Sequence, residues 1–589
     1  MKFLVNYALS AVVLVNSASG ILAESDQTVL SDLPTNRNVV EFANRAEASM
    51  LSELREDAPV AEGYFQRFVP DEKLGYVLDS DRYVLGRLMW NNGPTIEDLL
   101  NYQGMTGGNN AEKSASDQQL LDGLVDILTP DWKELSPERY EFSFVGRAFL
   151  GTVHCLVYDV KPLSSEDNGF KGRVYFEDQL WNIVRFTGMS ANVDRMFAAL
   201  RGKNSKFHID SWRVNVAKNR WVPAYAYVEE VPPLNAPGMP VSKGQIRFWG
   251  YGRTGGRERQ EFIQLVLNES PSTEEGGKPQ WPSPQQSQRL FETQAEHNVL
   301  ARLLQAEFLG APGEVEKKLD QVVTNLVASN KLVLGEPVHC RILLTTPLEA
   351  FIVGNTIVIS RGLIDSAPSE SALALVMAHQ LAHYVLGHRR VDTGLAFADV
   401  LKITDAELLA ELRFRHSESE EEAADKRAVE IVEQSPYNRG GDSMSDAGLF
   451  MQALRFRATH LPALIRPNFG EHVADVEHVV RNNRIFRTSP VLDEKIPGQV
   501  AALPLGSRLV VDPWDGRVEL FQADAVLAPT TRERAELSVT PIMPFMQYVA
   551  DKTNVLKPKS AASRQRTRGN GSAATHVVQI GQKETSAGK

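Results

Sequence analysis

The chain of 589 residues is long enough for more than one domain, and its 43% hydrophobic and 23% charged residues are typical of globular proteins. Its net charge of −11 and isoelectric point of about 5.7 argue against a nucleic-acid binder, which would carry a basic surface. Only two cysteines occur, Cys155 and Cys340, and we expect two buried thiols rather than a disulfide.

Residues 1–23 have the pattern of a secretory signal peptide. Lys2 supplies a positive start, residues 3–15 are mostly apolar, and Ala18-Ser19-Gly20 is a small-residue cleavage site. A membrane-anchoring N-terminal helix is the alternative, although the apolar run is short for a membrane span. The pattern predicts a periplasmic or secreted protein whose membrane contact is peripheral at most.

The region that follows is predicted to contain helices first and strands later. Residues 24–139 are assigned to a helical region, because apolar residues recur at intervals of three and four between Asn38 and Glu56. Over 140–268 the period changes to two, and β-branched and aromatic runs alternate with turn residues. This second pattern predicts an antiparallel sheet of at least about six strands.

The aromatic content of the β region and the signal pattern before it resemble the curved half-barrel of the LolA/LolB lipoprotein-sorting proteins. That resemblance implies a lipid or lipoprotein bound on a concave face. The alternative is a sheet that packs against the N-terminal helices as a scaffold.

Beyond the β region, composition divides the chain further. Residues 269–288 are rich in Pro, Ser and Gln and are predicted to be a linker, and 289–500 a second, mainly helical domain. Residues 501–555 contain a predicted β-hairpin around Asp515-Gly516, and 556–589 form a basic tail expected to be disordered. The predicted fold class is therefore α+β and multidomain.

The second domain contains a pair of histidines with metal-ligand spacing. His379 and His383 are four residues apart, so on a helix both imidazoles lie on one face and can bind one metal ion. The segment differs from the H-E-x-x-H motif of zinc peptidases only in having Gln380 where that motif has its general base. An amide can donate a hydrogen bond but does not accept a proton near neutral pH. Since such a base raises the reaction rate about 10²–10⁴-fold, we expect a metal site at which proton transfer is impaired.

A third ligand is predicted on a later helix. Ser417 and Glu420 have the spacing of a capping box, which places Glu421 in the first turn. Two His and one Glu form an open tetrahedral zinc site, with Asp425 as a hydrogen-bond acceptor behind a ligand. The alternative is a solvated acidic helix start without a metal.

A predicted hairpin lies before the histidine helix. Its turn is Gly354-Asn355, and the run after the turn, Ile357, Val358 and Ile359, is the candidate for an edge strand that pairs with the backbone of a polypeptide substrate. The same run would look identical in a purely structural strand.

Four motifs in this order resemble the HtpX/BepA family of gluzincin metallopeptidases over about 290–500. They are Val353–Leu363, His379-Gln380-Leu381-Ala382-His383 with Gly387-His388, Glu421 with Ala424-Asp425, and Tyr437–Gly441. The resemblance implies a zincin-like fold and zinc bound by His379, His383 and Glu421. It also implies a role in processing or quality control of envelope proteins, and we expect unfolded or extended polypeptide as the partner.

The chain departs from the family pattern at three places. Gln380 replaces the catalytic Glu, Glu418 stands where an Arg is usual, and Thr488-Ser489-Pro490 stands where Thr-His-Pro is common. These departures predict a pseudopeptidase that keeps zinc while hydrolysis is lost or weak. The alternatives are an active zinc metalloendopeptidase of envelope protein quality control, and a lipid or lipoprotein carrier that works through the β region.

Overall fold

The computed structural model describes eighteen segments of the chain. They are 36–72, 75–90, 94–100, 111–128, 138–150, 153–164, 170–190, 206–217, 220–231, 239–251, 284–310, 312–367, 369–388, 414–438, 443–458, 460–473, 509–511 and 518–520. The predicted signal peptide and basic tail lie outside these residues.

A ten-stranded antiparallel sheet dominates the N-terminal part. Its strands are β1 (Val60–Asp71), β2 (Gly75–Trp90), β3 (Pro94–Asp98), β4 (Tyr140–Leu150), β5 (Val153–Pro162), β6 (Lys171–Glu177), β7 (Ile183–Ser190), β8 (Lys206–Ala217), β9 (Arg220–Val231) and β10 (Val241–Trp249). The order is β3-β2-β1-β10-β9-β8-β7-β6-β5-β4, so β1 lies between β2 and the last strand. The antiparallel sheet predicted from the period of two is confirmed.

The sheet begins well before the predicted boundary at residue 140. The sequence predicts a helical region over 24–139, but the described part of that range contains two helices, α1 (Asn36–Asp57) and α2 (Ala111–Leu128), with β1, β2 and β3 between them. The alternating pattern is hidden in β1 because both of its faces are buried, and Glu62 and Gln66 are each only 1% exposed. A strand with polar residues buried on one face does not show the apolar–polar alternation that predicts a strand.

The two faces of the sheet pack against different parts of the molecule. On one face, Val39 of α1 and Leu121 of α2 share a core with Phe65. On the other face, Tyr64 and Phe68 belong to a core that continues into the second domain. The sheet is therefore covered by helices on one side and, along part of the other side, by the second domain.

The second domain combines helices with a small mixed sheet. Its elements are α3 (Pro284–Gln305), α4 (Glu314–Asn330), β11 (His339–Leu343), β12 (Glu349–Val353), β13 (Thr356–Ser360), α5 (Arg361–Ser366), α6 (Glu370–Leu386), α7 (Glu418–Glu433), α8 (Ser443–Arg457), α9 (Pro462–Ile465) and β14 (Glu471–His472). The sheet order is β11-β13-β12-β14, with β11 parallel to β13 and the other pairs antiparallel. Helix α3 starts inside the segment predicted to be a linker to residue 288.

Several smaller predictions are confirmed. Gly354, with φ +55°, makes the turn between β12 and β13. Two short strands, β15 (Leu509–Val511) and β16 (Val518–Leu520), pair antiparallel as the C-terminal hairpin. Cys155 and Cys340 are both free and buried.

Helix α6 is the buried centre of the second domain. The Ser369 side chain accepts a hydrogen bond from the backbone N–H of Ala372 and caps the helix start. Gly387 ends the helix with φ +74°, a conformation that glycine adopts at little cost. The turn lets the backbone N–H of His388 donate to the carbonyl of His383. Among the described helices, none combines the length and the apolar character needed to cross a membrane.

Candidate metal centre

The three predicted ligands come together between α6 and α7. The Nε2 atoms of His379 and His383 lie 3.1 Å apart. Glu421 approaches both imidazoles, with Oε2 at 3.2 Å from Nε2 of His379 and Oε1 at 3.8 Å from Nε2 of His383. The side chain of His383 is fully buried, and those of His379 and Glu421 are 9% and 12% exposed. The helical spacing in the sequence thus leads to the expected convergence.

A fourth side chain, Glu471 of β14, enters the same cluster. Its Oε2 lies 3.3 Å from Nε2 of His379 and 3.6 Å from Nε2 of His383. The sequence reasoning missed Glu471, because no spacing relates it to the histidines. It reaches the cluster through the pairing of β14 with β12, in which Glu471 lies opposite Ala350. That pairing is a tertiary contact with no signature in the local sequence.

Other side chains hold the two imidazoles in place. Oδ1 of Asp425 lies 2.9 Å from Nδ1 of His379, the contact expected of a residue behind a ligand. Nδ1 of His388 lies 3.1 Å from Nδ1 of His383. The ring of His416 stacks on that of His383, with centroids 3.8 Å apart and planes 13° from parallel. Both imidazoles therefore direct Nε2 toward the cluster.

Gln380 occupies the position of the general base and is 2% exposed. Its Nε2 donates to Oε2 of Glu471 at 3.1 Å and to the carbonyl oxygen of Ala350 at 3.4 Å. Since both neighbours are acceptors, the NH₂ group of the amide is the group that faces them. Position 380 therefore supplies hydrogen-bond donors and cannot take up a proton.

The electrostatics of the cluster favour a positive charge at its centre. Burial alone would lower the pKa of His379, but hydrogen bonds to Asp425, Glu421 and Glu471 raise it well above its ordinary value. Burial and the neighbouring charge of His379 lower the pKa of His383, which keeps that ring neutral. Burial raises the pKa of Glu471 to about 7, against a lowering contribution from His379. A proton on His379 supplies part of this positive charge, and a bound divalent cation would replace it.

The distances fit a zinc ion. With zinc bonds of about 2.0–2.2 Å to imidazole nitrogen and carboxylate oxygen, the edges of a tetrahedron of ligand atoms measure roughly 3.4 Å. The separations among His379, His383, Glu421 and Glu471 range from 3.1 to 3.8 Å, with Glu421 facing His379 through Oε2 and His383 through Oε1. All four ligand atoms lie within 4.8 Å of one another. Neutral imidazole and carboxylate are also suitable donors for zinc.

The prediction that Ile357, Val358 and Ile359 form an edge strand for a substrate is wrong. Ile357, Val358 and Ile359 lie in β13, which pairs with β11 on one side and with β12 on the other. All three side chains are 0% exposed. The backbone of this strand is already hydrogen-bonded to its neighbours and has no free edge for a substrate. The run could not reveal this, since edge and central strands of β-branched residues look alike in sequence.

The convergent His, His and Glu side chains are the ligand types of an open zinc site. Residues 314–440 match the model of peptidase family M48, so the chain contains a domain of this zinc metallopeptidase family. The metallopeptidase resemblance drawn from the motifs is thereby confirmed. No curated protein matches the chain.

Several solved structures resemble about a third of the chain at low sequence identity. A LolA superfamily protein from Nitrosomonas europaea is 12% identical, with 36% of this chain and 92% of that chain covered and a TM-score of 0.16. A DUF1329 family protein from Desulfovibrio piger is 9% identical, with coverage of 36% and 93% and a TM-score of 0.18. A chain of the MucA/MucB complex from Pseudomonas aeruginosa is 9% identical, with 37% of this chain and 96% of that chain covered and a TM-score of 0.13. Likenesses at this level carry no argument about ligands.

Proposed function

We propose that the protein is a periplasmic or secreted zinc-binding protein of metallopeptidase type that binds unfolded or extended envelope polypeptides and cleaves them weakly or not at all. The observation that carries this proposal is that an amide, and not a carboxylate, stands at position 380 beside the converging ligands. The three ligand candidates converge, whereas Gln380 donates both amide hydrogens to acceptors and accepts no proton. A zinc ion held by His379, His383 and Glu421 would supply Lewis-acid activation of a peptide carbonyl.

The side chains around the cluster explain zinc binding more readily than they explain peptide hydrolysis. Asp425 and His388 hold the two imidazoles by their Nδ1 atoms, so the ligand geometry does not depend on a catalytic residue. Hydrolysis also requires a group that moves a proton to the leaving amine. Gln380 cannot move a proton. Without a general base the rate of hydrolysis falls about 10²–10⁴-fold, while the metal ligands stay intact.

The test is zinc content followed by digestion of casein on the same sample of the full chain. We expect about one zinc per chain, lost in His379→Ala and in Glu421→Ala, and no digestion. His339→Ala is the matched control, because this histidine is 62% exposed and lies outside the cluster. Absence of zinc from the wild type, or zinc binding that survives both ligand variants, would contradict the proposal.

A second candidate function is an active zinc metalloendopeptidase in which Glu471 moves the proton. It is favoured by one observation, the position of the Glu471 carboxylate 3.1 Å from the side-chain nitrogen of Gln380. In that case the wild type digests casein, chelation of the metal stops the digestion, and Glu471→Ala abolishes it. The carrier alternative has no comparable observation, since in the described residues α1 and α2 cover one face of the sheet and the second domain covers part of the other.

A further inference from the structure

Glu471 lies where the fourth corner of a tetrahedral site is expected. Its Oε2 is 3.3 Å from Nε2 of His379 and 3.6 Å from Nε2 of His383. The corresponding distances from Glu421 to the same atoms are 3.2 and 3.8 Å. Glu421 approaches the two histidines through different oxygens, whereas Glu471 approaches both through Oε2, so distance gives no reason to count only Glu421 as a ligand.

Glu471 is positioned by strand β14, which joins the small sheet of the second domain. Strand β14 pairs antiparallel with the edge of β12 that β13 leaves free, so Ala350 faces Glu471 and Glu349 faces His472. Such an edge is where an extended peptide would add as a strand. In this protein β14 occupies the part of that edge at Glu349 and Ala350.

The loop before β14 is fixed by a buried carboxylate. Oε2 of Glu349 accepts hydrogen bonds from the backbone N–H groups of Phe469 and Gly470, at 2.8 and 3.0 Å. The side chain of His416 adds a contact at the other oxygen of Glu471, with Nε2 at 3.4 Å from Oε1. Glu471 is thus held from its backbone and from its side chain, as expected of a residue in a defined position rather than a passing contact.

Gln380 matches this arrangement. The amide donates to Glu471 and to the carbonyl of Ala350, which gives both acceptors a partner. A glutamate at position 380 would set its carboxylate against a second carboxylate and a carbonyl oxygen in a buried site, where like charges repel strongly. An amide at position 380 therefore suits a site in which the Glu471 carboxylate lies beside it.

Little room is left for a substrate. The cavity lined by His379, Gln380, Asp425 and Glu471 measures about 20 Å³. That volume holds about one water molecule. The space beside Gln380 and Glu471 is therefore too small for a peptide side chain.

We infer that Glu471 is a fourth protein ligand that closes the metal site, and that Gln380 is a positioning residue for it. This inference rests on the proposed function, because it requires that the cluster binds zinc. A site with four protein ligands is of the structural type, whereas a catalytic site keeps one position open. Strand β14 therefore fills the open ligand position with Glu471 and covers the start of the free edge of β12.

The first experiment uses cobalt(II) in place of zinc and azide as a probe of an open position on the full chain. We expect about one cobalt per chain in the wild type and a visible spectrum that azide leaves unchanged. In Glu471→Ala and in the isosteric Glu471→Gln, cobalt affinity falls at least about tenfold and azide shifts the spectrum. The matched control is Glu430→Gln, which changes an acid of the same helix α7 that is 34% exposed and pairs with Arg427 outside the cluster.

Two outcomes of this experiment overturn the inference alone: an azide shift in the wild type equal to that of the variants, or unchanged affinity in both Glu471 variants. A different outcome overturns the proposed function as well. That outcome is failure of the wild type to bind cobalt, or equal binding by wild type and His379→Ala.

The second experiment measures casein digestion by zinc-loaded variants. Gln380→Glu alone stays inactive, because Glu471 still fills the site. The double variant Gln380→Glu/Glu471→Ala digests casein at least about 100-fold faster than Glu471→Ala, within the range that a general base contributes. Full activation by Gln380→Glu alone would overturn the inference, and so would loss of wild-type digestion in Glu471→Ala, which would identify Glu471 as the group that moves the proton.

Discussion

At the scale of single residues, the position between the two histidines shows how one substitution is matched by its surroundings. Gln380 differs from glutamate by one group, yet both of its neighbours, Glu471 and the Ala350 carbonyl, require a donor. The sequence alone predicts the loss of a proton acceptor. It does not predict the partner, because Glu471 is 91 residues away in the chain. The structure therefore changes the interpretation from a lost base to a residue with a different role.

The contact behind His379 gives a prediction at the same scale. Asp425 is 1% exposed and lies 2.9 Å from Nδ1 of His379, so it orients the imidazole that would bind zinc through Nε2. Replacement of such an acceptor typically lowers metal affinity about 10–100-fold. We expect Asp425→Ala to show this loss in competition against a chelator. Glu430→Gln on the same helix, 34% exposed and paired with Arg427, is the control, and equal affinities for the two variants would contradict the role of Asp425.

At the scale of elements, predictions succeeded where the pattern is local. Helix α6, the β12–β13 turn and the capping box at Ser417 each depend on neighbours within a few residues, and all three are present. Strand β1 was missed because Glu62 and Gln66 are buried where the rule expects apolar side chains. Strand β14, two residues long, has no period to detect. Its place follows from pairing with β12, and pairing between distant segments is not readable from either segment.

Strand β14 also permits a test of how it holds Glu471. A Cβ atom added at Gly470 would lie 2.7 Å from the carbonyl oxygen of Ala350, so the backbones of β14 and β12 must separate to admit it. We expect Gly470→Ala to lower stability by about 1–3 kcal/mol and to weaken zinc binding about tenfold. Thermal unfolding and chelator competition measure the two effects. Gly335→Ala, with no atom within 4 Å of the added Cβ, is the control. Zinc affinity unchanged in Gly470→Ala would show that β14 does not set the site.

At the scale of the whole molecule, the β sheet and the second domain are joined by buried polar contacts as well as by a shared core. Glu62 of β1 accepts hydrogen bonds from the backbone N–H and the hydroxyl of Thr346, at 2.6 and 2.8 Å. Arg247 of β10 donates to Thr346 and to Asp365 at 3.3 and 3.2 Å. Loss of one partner of a buried ion pair typically costs about 3–5 kcal/mol. Thr346 lies three residues before β12, so the sheet packs beside the strand that receives β14.

Asp81 of β2 connects the sheet to the same region and makes stability depend on pH. It accepts hydrogen bonds from the backbone N–H groups of Ala463 and Leu464, at 2.9 and 2.8 Å. Burial outweighs these bonds and raises the pKa of Asp81 from 3.8 to about 6. The folded state therefore binds more protons than the unfolded state between about pH 4 and 6, and the free energy of unfolding decreases as the pH rises through that window.

The test compares wild type with Asp81→Asn, which cannot ionise. The stability of the wild type relative to this variant is expected to fall by about 1–3 kcal/mol between pH 4.5 and 7, with no further change above pH 7. Urea unfolding midpoints at several pH values measure the difference. Asp79→Asn, a partly exposed neighbour on the same strand that pairs with Arg67 at 3.6 Å, is the control and should show no comparable trend. A difference that grows with pH would mean that the hydrogen bonds from Ala463 and Leu464 outweigh burial, and that the junction between sheet and second domain favours the ionised carboxylate.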